Sequence, residues 1–454
     1  MTKAPTQAFR PAREILDIFW TLADGTDEQR TSGTIKLAKL IDESKNDEKE
    51  KIQTYCRDRL VKGLSSGRKF ARVGFSVALA QLLHEQHLQA SDVIKVIQEK
   101  LKFQRHEKRS KSEVGGIFLG RAFGFSSVVQ SGRLSTMDGE AVGTLTKDIL
   151  AMADKKSYLK AVCHKTVEDI VTQVSAEDFG DHIWLKLREK MKQGWEVCCL
   201  HTLSLLLTCR SKFPDIVTKK FLKKHWGFPL LGEENDANLL KALLDTVQGA
   251  DLFLDKIIPS AIAEGRDILS MWNGIGEKLV EHLPDKRANV IAQRQLLGVK
   301  VASRLLQDAS TQEVLDVSLS PRMVGLIFHN VTRKNDPLAI AADQVFEKLC
   351  SQLKAKSDAH KITDLVEQLW KLEASLSNEV NKNTPRVDLV NSTNFTRLID
   401  MMQREEAETY TDLLMAMVKG KDKLEVLSEQ ASRKTRQVET CLRHEVVDHC
   451  SRSQ

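Results

Sequence analysis

A pair of histidines in the segment His84-Glu85-Gln86-His87 comes close to a metal-binding pattern. The zinc motif H-E-x-x-H places its two histidines four residues apart, so that both rings lie on one face of a helix. Here the second histidine comes one position early, so the pair is three residues apart and not four as in the zinc motif. We therefore interpret this segment as a solvated helix end.

Four further residues of metal-ligand type lie near the end of the sequence: Cys441, His444, His449 and Cys450. Structural zinc sites use four ligands that converge tetrahedrally, usually from paired C-x₂-C or H-x₃₋₅-H arms. The spacing here is irregular. No P-loop, G-x-S-x-G elbow or kinase motif set occurs in the sequence either. We therefore expect no catalytic residues, no metal, no cofactor and no small-molecule substrate.

The segment Trp272-Asn273-Gly274-Ile275-Gly276 has a possible role in phosphate binding. A Gly-x-Gly turn between two apolar helices can direct backbone N–H groups at a DNA phosphate. A dinucleotide-binding loop would need a third glycine and a preceding strand, and both are missing. Two interpretations stay open, a phosphate-binding hairpin and an ordinary turn between helices, and we favour the turn.

Two runs of basic residues are candidates for contact with nucleic acid. Charge runs are usually solvated helix faces, and the alternatives are nuclear import and contact with a phosphate backbone. We predict weak, sequence-independent binding to DNA or RNA that falls with rising salt. The first run contains Lys100, Lys102, Arg105, Lys108, Arg109 and Lys111, and the second contains Lys219, Lys220, Lys223 and Lys224.

Two other patterns concern the packing of helices. Residues 79–83 and 240–244 both match L-x-x-L-L, a box that can dock into a groove as a short amphipathic helix. A leucine-rich helical protein also produces this pattern in its core, and we interpret both boxes as core. Gly116, Gly120 and Gly124 recur every four residues and leave one helix face bare, which predicts close packing at that face.

Helices must position all of these residues. Apolar residues recur at helical spacing along nearly the whole sequence, and no segment alternates apolar and polar residues as a strand would. Ser175 and the pair Asp336-Pro337 place capping residues at the starts of predicted helices. The sequence therefore predicts an all-α protein.

The length of 454 residues exceeds what one compact core accommodates. Helices of ordinary length joined by short turns over such a distance are typical of an armadillo/HEAT-like α-solenoid of paired helices. We expect this solenoid to occupy residues 1–380. Residues 381–454 are expected to form a helical extension that is charged and partly frayed.

The composition indicates the compartment in which the protein resides, but it does not identify a partner. The 68 basic and 62 acidic residues give a net charge of +6, which permits contact with a polyanion without requiring it. The eight cysteines form no disulfide framework, and no apolar leader begins the sequence, so we expect a reducing compartment. The longest mostly apolar run, residues 197–209, is too short to span a bilayer. We expect no membrane contact.

One segment resembles a known family. Residues 64–83 read L-S-S-G-R-K-F-A-R-V-G-F-S-V-A-L-A-Q-L-L, and residues 18–23, 94–101, 120–124 and 130–134 continue the likeness in order. This pattern resembles the signature of the Myb-binding protein 1A / DNA polymerase phi family. The positions that carry the resemblance are Gly67, Arg68, Ala71, Arg72, Phe75, Ser76, Ala78 and Leu79, followed by Gly132 and Arg133.

Two arginines of this signature have open roles. Arg68 and Arg72 are one helical turn apart, so they share a face of the predicted helix. They either pair with acidic residues inside the solenoid or contact a partner.

The resemblance implies a nuclear, largely nucleolar protein that acts in ribosomal-RNA synthesis, ribosome biogenesis and transcriptional regulation. Its expected partners are transcription factors and nucleolar or ribosome-biogenesis proteins, with weak contact to DNA or RNA. Family members are usually longer and carry an acidic tract and a strongly basic tail, neither of which occurs in this sequence. The alternative is a generic α-solenoid adaptor in transport or trafficking, related by descent and without a nucleic-acid role.

The family's polymerase name does not predict polymerase activity for this sequence. Polymerases need paired carboxylates that hold two metal ions. The closest match, Tyr410-Thr411-Asp412, supplies one acid and no second aspartate two positions later. We expect a non-enzymatic protein.

Overall fold

The structure, a computed structural model, describes residues 9–102, 110–246, 249–280, 288–308, 336–356 and 393–402, with a few further positions between 323 and 411. These residues are helical or lie in turns, and no strand occurs among them. The prediction of an all-α solenoid is confirmed. The chain divides into two compact units, residues 1–230 and 231–454. The boundary predicted at residue 380 lies outside the described residues and stays a prediction.

The first unit is built from helices α1 to α11. Helix α9 contains a π-helical stretch between two α-helical ones. The helices are α1 Arg13–Asp24, α2 Asp27–Glu43, α3 Asn46–Gly63, α4 Lys69–His84, α5 Ala90–Lys100, α6 Lys111–Gln130, α7 Gly139–Lys155, α8 Lys160–Gln173, α9 Ala176–Asp178 with Phe179–Trp184 and Leu185–Met191, α10 Leu200–Lys212 and α11 Lys219–His225.

Successive packing of these helices gives the first unit its repeat character. Helices α1, α4, α6, α8 and α10 form one row in which each helix packs against the next. Helices α3 and α5 pack beside this row, as do α7 and α9 further along. Each helix therefore contacts near neighbours in the sequence, which is the defining property of a helical repeat.

Local sequence signals explain where several helices begin. Thr26 and Ser110 each cap a helix reciprocally, with Gln29 and Glu113 as the respective partners at the third helical position. The predicted cap at Ser175 is confirmed, because its Oγ accepts a hydrogen bond from the Asp178 backbone N–H at 3.0 Å. Such caps satisfy backbone donors that the first turn of a helix leaves without an intrahelical partner.

The second unit contains helices α12 to α17 among its described residues. The predicted cap at Asp336 is confirmed, since its carboxylate accepts from the Leu338 N–H at 2.9 Å. Helices α15 and α16 pack extensively against each other. The helices are α12 Asp236–Leu244, α13 Ala250–Leu252 with Phe253–Ile257 and Ile258–Ala263, α14 Ile268–Met271 with Trp272–Gly276 and Glu277–Val280, α15 Ala288–Asp308, α16 Pro337–Lys356 and α17 Thr393–Ile399.

Candidate functional site

The segment that resembles the family signature forms the loop after α3 and most of α4. Ala71, Ala78 and Leu79 are buried, and the buried Phe75 ring lies 6.2 Å from the Phe19 ring of α1. Ser76 is half-buried, whereas Gly67 and Arg68 are exposed in the loop. Most of the signature therefore belongs to the packing of α4 against its neighbours.

The two signature arginines have different partners. Arg68 forms an exposed ion pair with Asp24, at 2.5 Å between Nη1 and Oδ1. Arg72 is half-buried, and its Nη1 donates to the Ser66 carbonyl oxygen at 2.6 Å. Arg68 thus follows the acid-pairing interpretation. Arg72 instead holds the backbone of the loop before α4, a role that the sequence did not indicate.

Sequence reasoning missed two further residues that fix α4. A Cβ at Gly74 would lie 2.0 Å from the Leu22 carbonyl oxygen, so only glycine permits this approach of α4 to α1. Arg30 of α2 is buried, pairs with Asp27 at 2.8 Å and stacks over the Phe70 ring at 5.2 Å. Two features of the sequence could have indicated these contacts. Gly74 lies on an otherwise apolar face of the predicted helix, and the aromatic ring of Phe70 can accept a cation over its face.

The second part of the signature joins the ends of two helices. Gly132 follows α6 with a φ of 70°, a left-handed conformation that glycine adopts without steric cost. This turn directs Arg133 toward the end of α4, where its Nε and Nη2 donate to the His84 carbonyl oxygen at 3.1 and 2.5 Å. The His84 Nδ1 also lies 3.1 Å from the Ser131 carbonyl oxygen. Gly132 and Arg133 therefore fasten α4 to α6.

The glycine row of α6 packs closely, as predicted. A Cβ at Gly116 would lie 2.6 Å from the Ser65 carbonyl oxygen, and one at Gly120 would lie 3.0 Å from the Ser65 nitrogen. At Gly124 the nearest atom would be Ile97 Cδ1 at 2.7 Å. The bare face of α6 thus receives the backbone of the loop after α3 together with one side chain of α5.

The histidine pair at the end of α4 shows no metal-binding arrangement. The His87 Nε2 lies 3.3 Å from Glu85 Oε2 and 3.6 Å from Asp42 Oδ2. Within the described residues, no group of three or more His, Cys, Asp or Glu side chains could hold a metal ion. The cluster of Cys441, His444, His449 and Cys450 lies outside the described residues, as does the Tyr410-Thr411-Asp412 segment except for Thr411.

Two buried cysteine thiols, those of Cys56 and Cys163, are not activated for nucleophilic chemistry. Burial raises the pKa of the Cys56 and Cys163 thiols to about 12. A thiol with such a pKa holds its proton at neutral pH, and the thiolate is the reactive form.

The two L-x-x-L-L boxes differ. In the first, Leu79, Leu82 and Leu83 have no exposed area, so the interpretation as core is confirmed. In the second, only Leu243 is buried, while Leu240 is half-buried and Leu244 is 39% exposed. Interpreting the second box wholly as core was wrong, because the buried stripe of α12 runs through Leu239, Ala242 and Leu243 instead.

The Gly274–Gly276 segment is neither a phosphate-binding hairpin nor a turn between helices. It lies in the π-helical stretch of α14, inside one helix. A Cβ at Gly274 would lie 1.7 Å from the Asp236 carboxylate, and one at Gly276 would lie 2.1 Å from the Trp272 ring. These glycines admit neighbouring side chains. The Asp236 carboxylate at this position is paired with Arg266, at 2.5 Å between Oδ1 and Nη2.

The first basic run is only partly described. Arg105, Lys108 and Arg109 lie outside the described residues. Lys102 and Lys111 are exposed, whereas Lys100 forms an ion pair with Asp58 of α3, at 3.3 Å between Nζ and Oδ2. Part of the positive charge of Lys100 is therefore already compensated within the chain.

The second basic run is presented on α11. Lys219, Lys220, Lys223 and Lys224 are all exposed, and none forms an ion pair with an acid within the part of the chain that the structure describes. Positions i, i+1, i+4 and i+5 share one side of a helix. The structure thus brings these four ammonium groups together on one surface, which is called the α11 lysine face below.

Aromatic side chains hold α11 in place from the opposite side. The buried Trp226 donates from Nε1 to the Met191 carbonyl oxygen at 2.8 Å. Phe221 packs edge-on against Trp184 at 5.2 Å between ring centroids, and Trp195 packs in the same way against Trp226 at 5.2 Å. The α11 lysine face is therefore carried by a well-anchored helix.

None of the helices in the described residues combines the length and the apolar composition needed to cross a membrane.

The sequence of the chain is similar to that of a known protein family. The family model for DNA polymerase phi matches residues 55–451. A Myb-binding protein 1A-like protein of Danio rerio is 28% identical over 233 residues, which are 51% of this chain and 18% of that protein. Myb-binding protein 1A of Homo sapiens is 33% identical over 165 residues, 36% of this chain and 12% of that protein.

A fungal relative shows a similar match. The rDNA transcriptional regulator pol5 of Schizosaccharomyces pombe is 29% identical over 209 residues, 44% of this chain and 20% of that protein. The aligned segments thus span at most about a fifth of the length of these relatives. No solved structure matches the chain. Because the family model covers most of the sequence, the chain belongs to the DNA polymerase phi family.

Proposed function

We propose that this protein is a non-enzymatic regulator of transcription in the nucleus and nucleolus, acting on ribosomal-RNA synthesis and ribosome biogenesis. The match of residues 55–451 to the family carries the proposal, because relatives in two fungi are named rDNA transcriptional regulators. Its helical repeats serve as a scaffold that binds transcription factors and nucleolar proteins. The vertebrate relatives are named for binding a Myb protein, which supports a transcription factor as partner.

A scaffold role agrees with the physical character of the first unit. Helical repeats expose long side-chain surfaces while their backbone hydrogen bonds stay inside each helix. The signature residues maintain the packing of α1 to α6, and the raised pKa of the Cys56 and Cys163 thiols leaves these two cysteines inert. The names of the relatives point to binding and regulation. We further propose residues 1–380 as the scaffold and residues 381–454 as a helical extension.

The proposal includes an auxiliary contact with nucleic acid through the α11 lysine face. Four exposed ammonium groups on one helix can each displace a counterion from a phosphate backbone. Such contacts position a protein without reading sequence. Lys102, Arg105, Lys108, Arg109 and Lys111 are proposed to add to this contact.

The experiment is depletion of the protein in its native cells, followed by pulse labelling of newly made precursor ribosomal RNA. We expect synthesis of the precursor to change within one labelling period and to recover when the full chain is returned. Unchanged precursor synthesis, together with misplacement of a transported cargo, would overturn the proposal in favour of the transport adaptor.

A further inference from the structure

A cleft of about 560 Å³ lies between α7, α8, α9 and the start of α10. Four lysines line it, and three of them come from three different helices, namely Lys147 of α7, Lys160 of α8 and Lys186 of α9. These three lysines are 13 to 39 positions apart in the sequence, so they do not form a run of basic residues that could be recognised there. The cleft is separate from the α11 lysine face.

Charges inside the cleft do not cancel. Asp154 pairs with Lys190 at 2.5 Å, and Glu189 pairs with Lys192 at 2.5 Å. Lys147, Lys160 and Lys186 form no ion pair with an acid among the residues that the structure describes. Three positive charges are therefore left over around one concave space.

The floor of the cleft adds neutral hydrogen-bonding groups. Burial lowers the pKa of His164 to about 4, so its ring is neutral near pH 7. Thr202 Oγ1 lies 3.4 Å from His164 Nε2 and 3.4 Å from Cys199 Sγ. The distance to His164 Nε2 is long for a hydrogen bond between oxygen and nitrogen, so the buried Thr202 hydroxyl is available to a better acceptor.

The N-terminal end of α10 faces the same space. Cys199 and Thr202, on either side of the first residue Leu200, both line the cleft. The partial positive charge at the start of a helix adds to the attraction that the lysines exert on an anion.

We propose that this cleft binds an anionic side chain, phosphorylated or carboxylate, on a segment of a protein partner. Lys147, Lys160 and Lys186 would contact its oxygens, and the Thr202 hydroxyl would donate from the floor. The inference rests on the proposed protein-binding role and names the chemistry of one partner.

A peptide fits this cleft better than a nucleic acid does. Lys190 and Lys192 are already paired with Asp154 and Glu189, so the uncompensated positive charge is limited to three lysines and does not continue along a phosphate backbone. The 56% exposed Val197 offers apolar contact to a residue that flanks an acidic side chain. Recognition of acidic and phosphorylated motifs by basic side chains is an established mode of peptide binding.

The experiment measures fluorescence anisotropy of three labelled peptide pools added to the full chain. The pools share degenerate flanking residues and differ only in a fixed central phosphoserine, glutamate or serine. We expect the phosphoserine or glutamate pool to bind and the serine pool to fail. The double variant Lys160→Glu, Lys186→Glu should weaken binding by about tenfold or more, because two charge-assisted contacts become repulsive.

A matched variant keeps the test specific. Lys220→Glu, Lys223→Glu makes the same change of charge on the α11 lysine face and should leave peptide binding unchanged. If the double variant does not fold, the single variant Lys147→Gln replaces it, because Lys147 is exposed. Its thermal melt should be unchanged, and its peptide binding should be weaker. Equal binding of all three pools, or no binding of any, would overturn the inference.

Competition distinguishes the partner class. If single-stranded RNA displaces the peptide, and the Lys160→Glu, Lys186→Glu variant loses RNA binding as well, the cleft is a nucleic-acid site and the inference is wrong. Failure of peptide binding would leave the labelling of precursor ribosomal RNA unaffected, so the proposed function and this inference fail separately.

Discussion

At the scale of single residues, the two arginines of the signature have different structural roles. Arg72 is half-buried and bonded to the Ser66 carbonyl oxygen, whereas Arg68 and Asp24 are both about half exposed. A hydrogen bond from a charged donor in a partly buried setting contributes more to stability than a solvated ion pair does.

Replacing each arginine with alanine tests this difference. We expect Arg72→Ala to lower the free energy of unfolding by about 1–2 kcal/mol, because the loop before α4 loses its hydrogen bond. Arg68→Ala should cost less than about 1 kcal/mol. Denaturant unfolding of both variants measures the two losses. Equal losses would show that Arg72 has no special structural role.

The buried His164 predicts a loss of stability in acid. Its pKa is about 4 in the folded chain and 6.5 ordinarily, so the unfolded chain takes up the proton first. Protonation therefore favours unfolding as the pH falls from about 6.5 to 4, by roughly 3 kcal/mol at the lower end. Unfolding free energies of the parent and of His164→Gln across this range should converge toward low pH. Parallel pH profiles would contradict the assignment.

At the scale of elements, adjacent glycines of α6 offer a matched pair. Gly116→Ala places a methyl group 2.6 Å from the Ser65 carbonyl oxygen and should cost about 1–3 kcal/mol. At Gly115 the nearest atom to a new Cβ is the Tyr158 hydroxyl at 3.7 Å. Gly115→Ala should therefore stabilise by about 0.5–1 kcal/mol, since alanine restricts the unfolded chain. Thermal melts with the same sign for both variants would refute the packing argument.

Helix α11 is the element expected to contact nucleic acid. Lys220→Glu, Lys223→Glu should weaken binding of single-stranded RNA at low salt and reduce the salt dependence by about one unit of slope per lost phosphate contact. The control, Lys39→Glu, Lys95→Glu, changes the same charge at two exposed lysines that already face acids. Filter binding across a salt series measures both. A control that loses as much affinity would indicate bulk charge alone.

The spacing of apolar residues predicted the helices, because the buried face of an amphipathic helix consists of apolar residues three or four positions apart. It did not predict the π-helical stretches at 179–184, 253–257 and 272–276, since a shift of the buried stripe by one residue cannot be told apart from ordinary irregularity in an apolar pattern. Contacts between residues that are far apart in the sequence could not be predicted from it either. The Lys100–Asp58 pair and the three-lysine cleft arise only when separate helices meet.

At the scale of the whole molecule, the chain matches its family along most of its length but covers only a small part of each curated relative. The family model extends over residues 55–451. The curated relatives match over 12% to 20% of their own lengths, so their names describe much longer proteins.

Imaging of the protein, tagged at its own locus, beside a label for nascent ribosomal RNA tests the central claim most directly. The account predicts a nuclear signal concentrated at the sites of ribosomal-RNA synthesis. A signal confined to the cytoplasm or to transport compartments, without enrichment at those sites, would contradict it.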